Sequence, residues 1–259
     1  MHARIPGLAA LSSLLLAGCA SYSAPVAAPT REVAGSCQSA FGSSICSWAQ
    51  MSGSKVVALG ATVPMAAIEN TPADAPMVWP PVANAVISMP AEARAATGVD
   101  HLTVYWEHHG HPPTPFLTPH FDFHFYTISN ADRLAIDCAN KLKPDAVPAG
   151  YSLPDINIEG IGMLTGLCVA GMGMHSLVSS ELAATTPFSG TMVLGFYDTK
   201  PIFFEPMIAK AKLMEKQSFT VPMTVPAGLA AGVHYPTKFE AIYDASIPGY
   251  RLVFTGFGT

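Results

Sequence analysis

Five of the nine histidines of this chain fall between His108 and His124. From His120 to Phe125, polar and aromatic residues alternate. On a β-strand His120, Asp122 and His124 would share one face, and three phenylalanines would form the opposite face, which we expect to be core. Imidazole and carboxylate together are ligands of divalent transition metals such as Zn, Fe, Mn, Ni and Cu. The pattern therefore predicts a metal site on this strand.

The spacing of the three polar residues limits how they can share an ion. Neighbours two apart lie roughly 7 Å from each other along a strand, and neighbours four apart roughly 13 Å. Two ligands that each lie about 2.1 Å from one ion cannot span the longer distance unless the strand bends. Either one histidine binds together with Asp122, or a β-bulge brings His120 and His124 together. If Asp122 is not a ligand, it could orient a ligating imidazole.

Two further ligands are expected from distant parts of the chain. His175 ends a Gly-Met-Gly-Met-His segment, whose glycines permit close approach of the backbone. Glu205 follows two phenylalanines, and a carboxylate in apolar surroundings is expected to be paired or bound to a metal. Alternatively, Glu205 contacts the N-terminus of a helix that begins at Pro206. The candidate ligands of the ion are therefore His120, Asp122, His124, His175 and Glu205.

The remaining histidines of the cluster have a different setting. His108, His109 and His111 lie in a loop rich in Gly and Pro, and we interpret them as a solvated rim rather than as ligands. The methionines beside His175 are interpreted as packing residues. A hydrogen-bonded His/Asp network, or a pH-sensitive surface, is the alternative to a metal site and stays open.

Three segments of the chain resemble an uncharacterised bacterial family that is labelled as a domain of unknown function. They are residues 119–126 (PHFDFHFY), 173–175 (GMH) and 203–207 (FFEPM). The resemblance covers roughly residues 100 to 215. It implies a shared fold and a shared site, and it supplies no reaction.

The elements that must position these residues are mostly strands. Alternating or β-branched stretches bounded by turn residues predict strands at 55–65, 101–107, 121–128, 191–197, 201–205, 217–225, 238–244 and 251–257. Short helices are predicted at 91–96, at 130–140 with Asn130 as the N-cap, and at 207–216 after Pro206. Residues 71–99 otherwise predict a long irregular connection. The fold class is mainly β, a sandwich or an open barrel, with two or three short helices.

Residues 1–18 have the composition of an export signal. Arg4 gives a basic start, an apolar stretch follows at 8–16, and Leu-Ala-Gly before Cys19 looks like a lipobox. The apolar stretch is too short for a transmembrane helix, and an ordinary signal peptide with an incidental Cys19 is the alternative. The mature protein is expected to begin at a lipidated Cys19. By resemblance to lipoprotein sorting, Ala20 favours the periplasmic face of the outer membrane.

The mature chain divides into a tether and one domain. Residues 19–36 are rich in Ala, Pro and Ser and predict a flexible tether, whereas 37–259 predict a single β-rich domain. Four cysteines beyond Cys19 suggest two disulfides in an oxidising compartment. Of three possible pairings, locality favours Cys37 with Cys46 and Cys138 with Cys168.

Composition and missing motifs exclude several classes of function. A formal net charge of −5 with 12% charged residues offers no basic patch for nucleic acid. No nucleophile elbow, P-loop or HExxH is present. We therefore expect a periplasm-facing, lipid-anchored protein that binds a divalent transition metal or a small-molecule ligand. The alternatives are a metal-dependent enzyme of unspecified reaction and a structural envelope protein with a buried His/Asp network. The oligomeric state is not specified.

Overall fold

A computed structural model of the chain describes residues 1–2, 29–76 and 78–258. The export signal beyond residue 2, the lipidation site Cys19 and residues 19–28 of the tether lie outside the described residues. In the described part, no helix is both long and apolar enough to cross a membrane.

The described residues are mainly β-strand, with five short α-helices where two or three were predicted. The strands are β1 (Thr30–Ala40), β2 (Ser43–Ser52), β3 (Lys55–Pro64), β4 (Ala85–Ser88), β5 (His101–Glu107), β6 (His120–Tyr126), β7 (Tyr151–Ser152), β8 (Ile156–Ile158), β9 (Gly162–Leu164), β10 (Met174–Val178), β11 (Gly190–Tyr197), β12 (Lys200–Ala209), β13 (Phe219–Val221), β14 (Lys238–Asp244) and β15 (Gly249–Thr255). The helices are α1 (Met65–Glu69), α2 (Ala91–Thr97), α3 (Asn130–Leu134), α4 (Ser179–Leu182) and α5 (Lys210–Met214).

Two large antiparallel sheets form a sandwich, one of the two architectures that the sequence predicted. The first sheet has the order β1-β2-β3-β15-β14-β13, and the second has the order β4-β5-β6-β12-β11-β10-β7. Strands β8 and β9 form a separate hairpin. Strand β6, which carries the His/Asp row, is therefore an inner strand of the second sheet, between β5 and β12.

Aromatic residues fill the space between the sheets. Phe121, Phe123 and Phe125 are fully buried, as the alternating pattern of β6 predicted. The rings of Phe125 and Phe204 each lie 4.8 Å from the ring of Phe254 on β15 in the first sheet. Each such side chain stabilises the fold by roughly 1.5–3 kcal/mol through burial alone. This packing fixes β6 and turns its polar residues to the outer face.

That outer face is itself covered, by the segment between α3 and β10. This cover segment, residues 138–173, includes β7, the β8–β9 hairpin and a 3-10 turn at Thr165–Leu167. A disulfide joins its two ends, Cys138 and Cys168. An ion pair of 2.7 Å between Lys143 and Asp155 also holds it. The second sheet is thus buried on both faces at its centre.

The two disulfides are the pairs that the sequence favoured. Cys37–Cys46 links neighbouring strands β1 and β2, and Cys138–Cys168 closes the cover segment. Disulfides persist in oxidising compartments, so they indicate a secreted or cell-envelope protein.

The N-terminal hairpin differs from the sequence-based expectation. Strand β1 begins at Thr30, so residues 30–36 of the predicted tether lie in a strand, and β2 was not predicted at all. Val33 pairs with Ala49 on β2, and the disulfide joins the same two strands. These contacts hold the segment as a strand, although its composition alone does not predict one. Strands β4 and β7 to β10 were missed for the same reason, because they are short and are defined by their partners.

Two of the three predicted helices have different bounds. The prediction of a helix at 207–216 was wrong at its start, because β12 continues through Ala209 and only α5 is helical. Met207 and Ile208 are fully buried between β6 and β11, and this pairing outweighs the helix signal of Pro206. Helix α3 ends at Leu134, and its N-cap is Ser129, whose hydroxyl accepts from Asp132 N.

Candidate metal centre

The register of the second sheet decides which polar side chains meet on its outer face. Phe204 of β12 pairs with Phe125 of β6. Because paired residues run in opposite directions in antiparallel strands, Glu205 faces His124 across the ladder. His175 of β10 pairs with Gly195 of β11, two strands from β6. The ring of Phe203 lies over Gly195 and packs against the imidazole of His175.

These three side chains form a compact group, which we call the central triad: His124, His175 and Glu205. His124 Nε2 lies 3.4 Å from His175 Nε2 and 3.4 Å from Glu205 Oε2. One potential ligand atom of each residue lies within 4.8 Å of the other two. All three side chains are buried. The arrangement could hold one metal ion with two imidazoles and one carboxylate.

A backbone carbonyl fixes the protonation of one imidazole in the central triad. His175 Nδ1 donates to the carbonyl of Leu167 at 3.0 Å. Its Nε2 therefore carries the lone pair, and this atom faces the other two residues. Metal-binding histidines are oriented in this way by a hydrogen bond on the opposite nitrogen. His124 Nδ1 has no such partner among the described residues.

Burial makes the ion-free central triad electrically neutral. Burial, reinforced by the charges of Asp122 and Glu107, raises the pKa of Glu205 well above its ordinary value of 4.5. Burial also lowers the pKa of His175 to about 4, and burial together with His175 lowers that of His124. No cation faces the carboxyl group of Glu205 within the triad. A divalent ion would displace its proton and supply the missing positive charge.

A second group, the outer triad, consists of His111, His120 and Asp122. His120 Nε2 lies 3.2 Å from Asp122 Oδ1, and His111 Nε2 lies 3.6 Å from Asp122 Oδ2. His120 Nδ1 donates to the carbonyl of Thr118 at 2.7 Å, and His111 Nδ1 donates to that of Pro112 at 2.9 Å. Both Nε2 atoms therefore face the carboxylate of Asp122. This triad has the same ligand set as the central triad.

When no metal is bound, the outer triad carries charged groups, in contrast to the central triad. Burial opposes protonation of His111, but the hydrogen bond and charge of Asp122 outweigh burial and raise its pKa to about 9. Burial likewise opposes ionisation of Asp122, but His120 and His111 outweigh it and lower the pKa of Asp122. Without an ion, a protonated His111 therefore pairs with the carboxylate. A metal ion would replace this proton.

This proton predicts a pH dependence of stability for the chelated protein. Because the folded-state pKa of His111 exceeds the ordinary 6.5, its contribution is complete below pH 6.5 and is lost as the pH rises towards 9. The contribution of His111 to the free energy of unfolding is expected to fall by less than about 1.4 kcal/mol per pH unit, since its imidazole ring is partly exposed. Because the pKa of Glu205 is also raised, its contribution likewise lowers the free energy of unfolding as the pH rises. Urea unfolding in EDTA between pH 6.5 and 9 measures the sum, and His111→Asn should flatten it. Equal slopes in the two proteins would contradict the assignment.

Both triads open into one cavity of about 350 Å³ beneath the cover segment. Its wall includes His111 and Asp122 from the outer triad, and His175 and Glu205 from the central triad. Much of the rest is apolar and comes from Leu167, Val169, Met172, Leu177, Val193 and Met207. The volume is at the small end of the range for small-molecule sites.

A third group of potential ligands, which we call the rim group, consists of Asp74, His108 and His109, of which His109 lines this cavity. The Asp74 carboxylate lies 4.0 Å from His108 Nε2 and 3.9 Å from His109 Nε2. The side chains of Asp74 and His109 are exposed, by 90% and 64%. Solvent competes with these two ligands, so His109 has the solvated setting that the sequence predicted, whereas the side chain of His108 is only 10% exposed.

The structure divides the five predicted ligands between two triads instead of joining them at one ion. His120 meets Asp122, which is one of the two arrangements left open by the spacing. The bulge that would bring His120 to His124 is absent, since β5 and β6 pair without a register shift. Glu205 does not cap a helix, because β12 continues past it.

His111 was wrongly assigned to the rim. It belongs to the outer triad, because the 3-10 turn at Thr114–Phe116 folds its loop back towards β6: His111 N donates to the carbonyl of Phe116. No local signal distinguishes His111 from His108 and His109, because the distinction depends on this loop geometry.

Gly195 is required for the packing behind the central triad. A Cβ atom at this position would lie 2.0 Å from ring carbons of Phe203. That ring lies 4.7 Å from the ring of His124 and 5.2 Å from the ring of His175. Gly195→Ala is therefore expected to displace Phe203, lower the free energy of unfolding by about 1–3 kcal/mol and weaken metal binding. Urea unfolding measures the first effect. Gly258→Ala, with open space around its Cβ, is the control and should change stability by less than about 0.5 kcal/mol.

Comparison with known proteins finds one family that matches part of the chain. Residues 54–106 match the family described as "TTHB210-like: Hypothetical protein TTHB210". The match runs from the start of β3 to the end of β5 and contains no residue of either triad. It overlaps the resemblance noted from the sequence only at residues 100–106. No curated protein matches the chain, and no solved structure matches it.

Proposed function

We propose that this chain is an exported protein that binds a divalent transition metal ion at the central triad. In this proposal a lipid on Cys19 anchors it to the periplasmic face of the outer membrane, and the cavity admits a small-molecule ligand. The lipobox-like sequence and the two disulfides support export. The acidic net charge gives no support for a nucleic-acid partner.

One observation carries the proposal of a metal site. Glu205 Oε2 is buried without a hydrogen-bond partner and lies 3.4 Å from the imidazole of His124. A buried carboxyl group that lacks a partner is unfavourable, and a bound cation would remove that penalty. Two histidines and one carboxylate are also the protein ligands of several catalytic zinc sites and of non-haem iron oxygenases.

Metal analysis tests the proposal directly. The full chain, purified without a histidine tag or added metal, is expected to contain a transition metal at one equivalent or more. His124→Ala and His175→Ala should lose the ion of the central triad, whereas His234→Ala, outside both triads, should keep it. A fully stable wild-type protein that contains no metal and takes up no Zn²⁺ after chelation would contradict the proposal. The buried His/Asp network would then be the better explanation.

A metal-dependent enzyme is a second candidate, favoured by the cavity. Three protein ligands leave a position on the ion for water or substrate, and the side chains of His175 and Glu205 line the cavity wall. An exchangeable ligand would distinguish this function from simple metal retention. Azide added to the Co²⁺-loaded protein should change its visible absorption if that position is open. An unchanged spectrum would argue against the enzyme.

Lipid anchoring predicts the location of the protein in the cell envelope. Cys19→Ser is expected to release it from the membrane fraction into the soluble periplasmic fraction, because the acyl chains supply the membrane affinity. Metabolic labelling with a radioactive fatty acid should mark the wild-type protein and not the variant. A variant that still incorporates the fatty acid would show that Cys19 is not the lipidated residue.

A further inference from the structure

We propose that a second divalent metal ion binds at the outer triad, so that the cavity holds a two-ion centre. The two-ion centre rests on the proposed function for its central ion, whereas the outer ion has its own ligands. His111 thereby becomes a metal ligand, together with His120 and Asp122.

The geometry of the outer triad suits the binding of a cation. Its three ligand atoms lie within 4.8 Å of one another. Two acceptors, His120 Nε2 and Asp122 Oδ1, lie 3.2 Å apart, and both are buried without a hydrogen-bond partner. His120 Nδ1 already donates to a backbone carbonyl, so Nε2 is the ring nitrogen that faces the carboxylate of Asp122. A cation that both atoms contact would satisfy them.

The charge of the cavity wall favours more than one cation. Four carboxyl groups line it, those of Glu107, Asp122, Glu159 and Glu205. Among the described residues that line the cavity, none is a lysine or an arginine. If all four were ionised in the metal-bound protein, their charges would balance two divalent ions. The imidazoles of the triads would serve as neutral ligands for both ions.

The two triads are neighbours on the same strand face. Asp122 and His124 are two residues apart on β6, which corresponds to roughly 7 Å along a strand. Each triad has its own three ligands, and no residue belongs to both. The ions would therefore be separate, and a small anion in the cavity could contact both.

The stoichiometry of Zn²⁺ binding to the chelated full chain tests the second ion. Wild-type protein is expected to bind two equivalents, measured by calorimetry and by metal analysis after gel filtration. His111→Ala should bind one, and His175→Ala should also bind one. Because His111 is partly exposed in a loop, its replacement should leave the fold intact, and circular dichroism checks this. His109→Ala should still bind two, which excludes the rim group as the source of the second equivalent.

The outcomes separate failure of the second ion from failure of the first. One equivalent in the wild type that survives His111→Ala and disappears in His175→Ala would overturn the outer site and leave the proposed function intact. One equivalent that survives His175→Ala and disappears in His111→Ala would refute the central site and the two-ion centre. A second equivalent lost in His109→Ala but kept in His111→Ala would also overturn the proposal.

Discussion

In protein carrying His111→Ala, the further substitution Glu205→Gln is expected to remove most of the thermal stabilisation by Zn²⁺. The first substitution disables the outer triad, so only the central ion contributes. An ion present at about 1,000 times its dissociation constant stabilises a fold by about 4 kcal/mol, which corresponds to roughly 10 °C in a protein of this size. Glutamine is a poorer ligand, and the affinity should fall by more than about 100-fold, since loss of a mere supporting partner costs 10–100-fold. Melting curves with and without Zn²⁺ measure the effect.

The same variant distinguishes a lost ligand from a damaged fold. Without an ion, the raised pKa of Glu205 favours its neutral form, and glutamine is neutral and of similar shape. The chelated single and double variants are therefore expected to melt within a few degrees of each other. Glu240→Gln, which removes an exposed carboxylate, should keep the full Zn²⁺ response. If the double variant kept that response, Glu205 would not be a ligand.

Removal of the Cys138–Cys168 disulfide is expected to reduce both stability and metal affinity. The bond closes a loop with a sequence separation of 30 residues, and loss of this constraint costs about 3–4 kcal/mol. Leu167, adjacent to Cys168, supplies the carbonyl that fixes the imidazole of His175. A more mobile cover segment would loosen that hydrogen bond, so the affinity should fall by about 10–100-fold. Urea unfolding and Zn²⁺ titration of the double alanine variant measure the two effects.

The other disulfide provides a matched control for this prediction. Cys37–Cys46 closes a loop with a separation of 9 residues in the first sheet, away from both triads. Its removal is expected to cost about 2–3 kcal/mol of stability and to leave metal affinity unchanged. If both double variants lost metal affinity equally, the effect would come from general destabilisation and not from the position of Leu167.

Local patterns were sufficient to predict the strand at the centre of the candidate site. Alternation along β6 correctly assigned the phenylalanines to the core and the His/Asp row to the other face. The bounds predicted for the strands at 101–107 and 238–244 agree with β5 and β14. These elements are predictable because their residue pattern has the period of a strand and their ends are marked by turn residues.

The division into two triads could not be predicted, because it depends on contacts between distant parts of the chain. Glu205 reaches His124 through the register of β12 on β6, and His175 lies on β10, three strands from β6. Neither relation leaves a periodic signal in the sequence. His111 depends on the path of a loop. Pro206, which normally marks a helix start or a strand edge, lies inside β12 because the neighbouring residues are buried on both sides.

The position of the Cys138–Cys168 bond has a consequence for when metal can be acquired. The carbonyl that orients His175 belongs to the residue next to Cys168, so we expect the central triad to reach its full metal affinity only after this bond has formed. Reducing conditions in the cytoplasm prevent that step. Under the proposed export, the newly made chain would leave the cytoplasm without its ion. The ion would bind in the envelope, after the disulfide has formed. The identity of the ion would then follow the metals supplied to the envelope rather than those available in the cytoplasm.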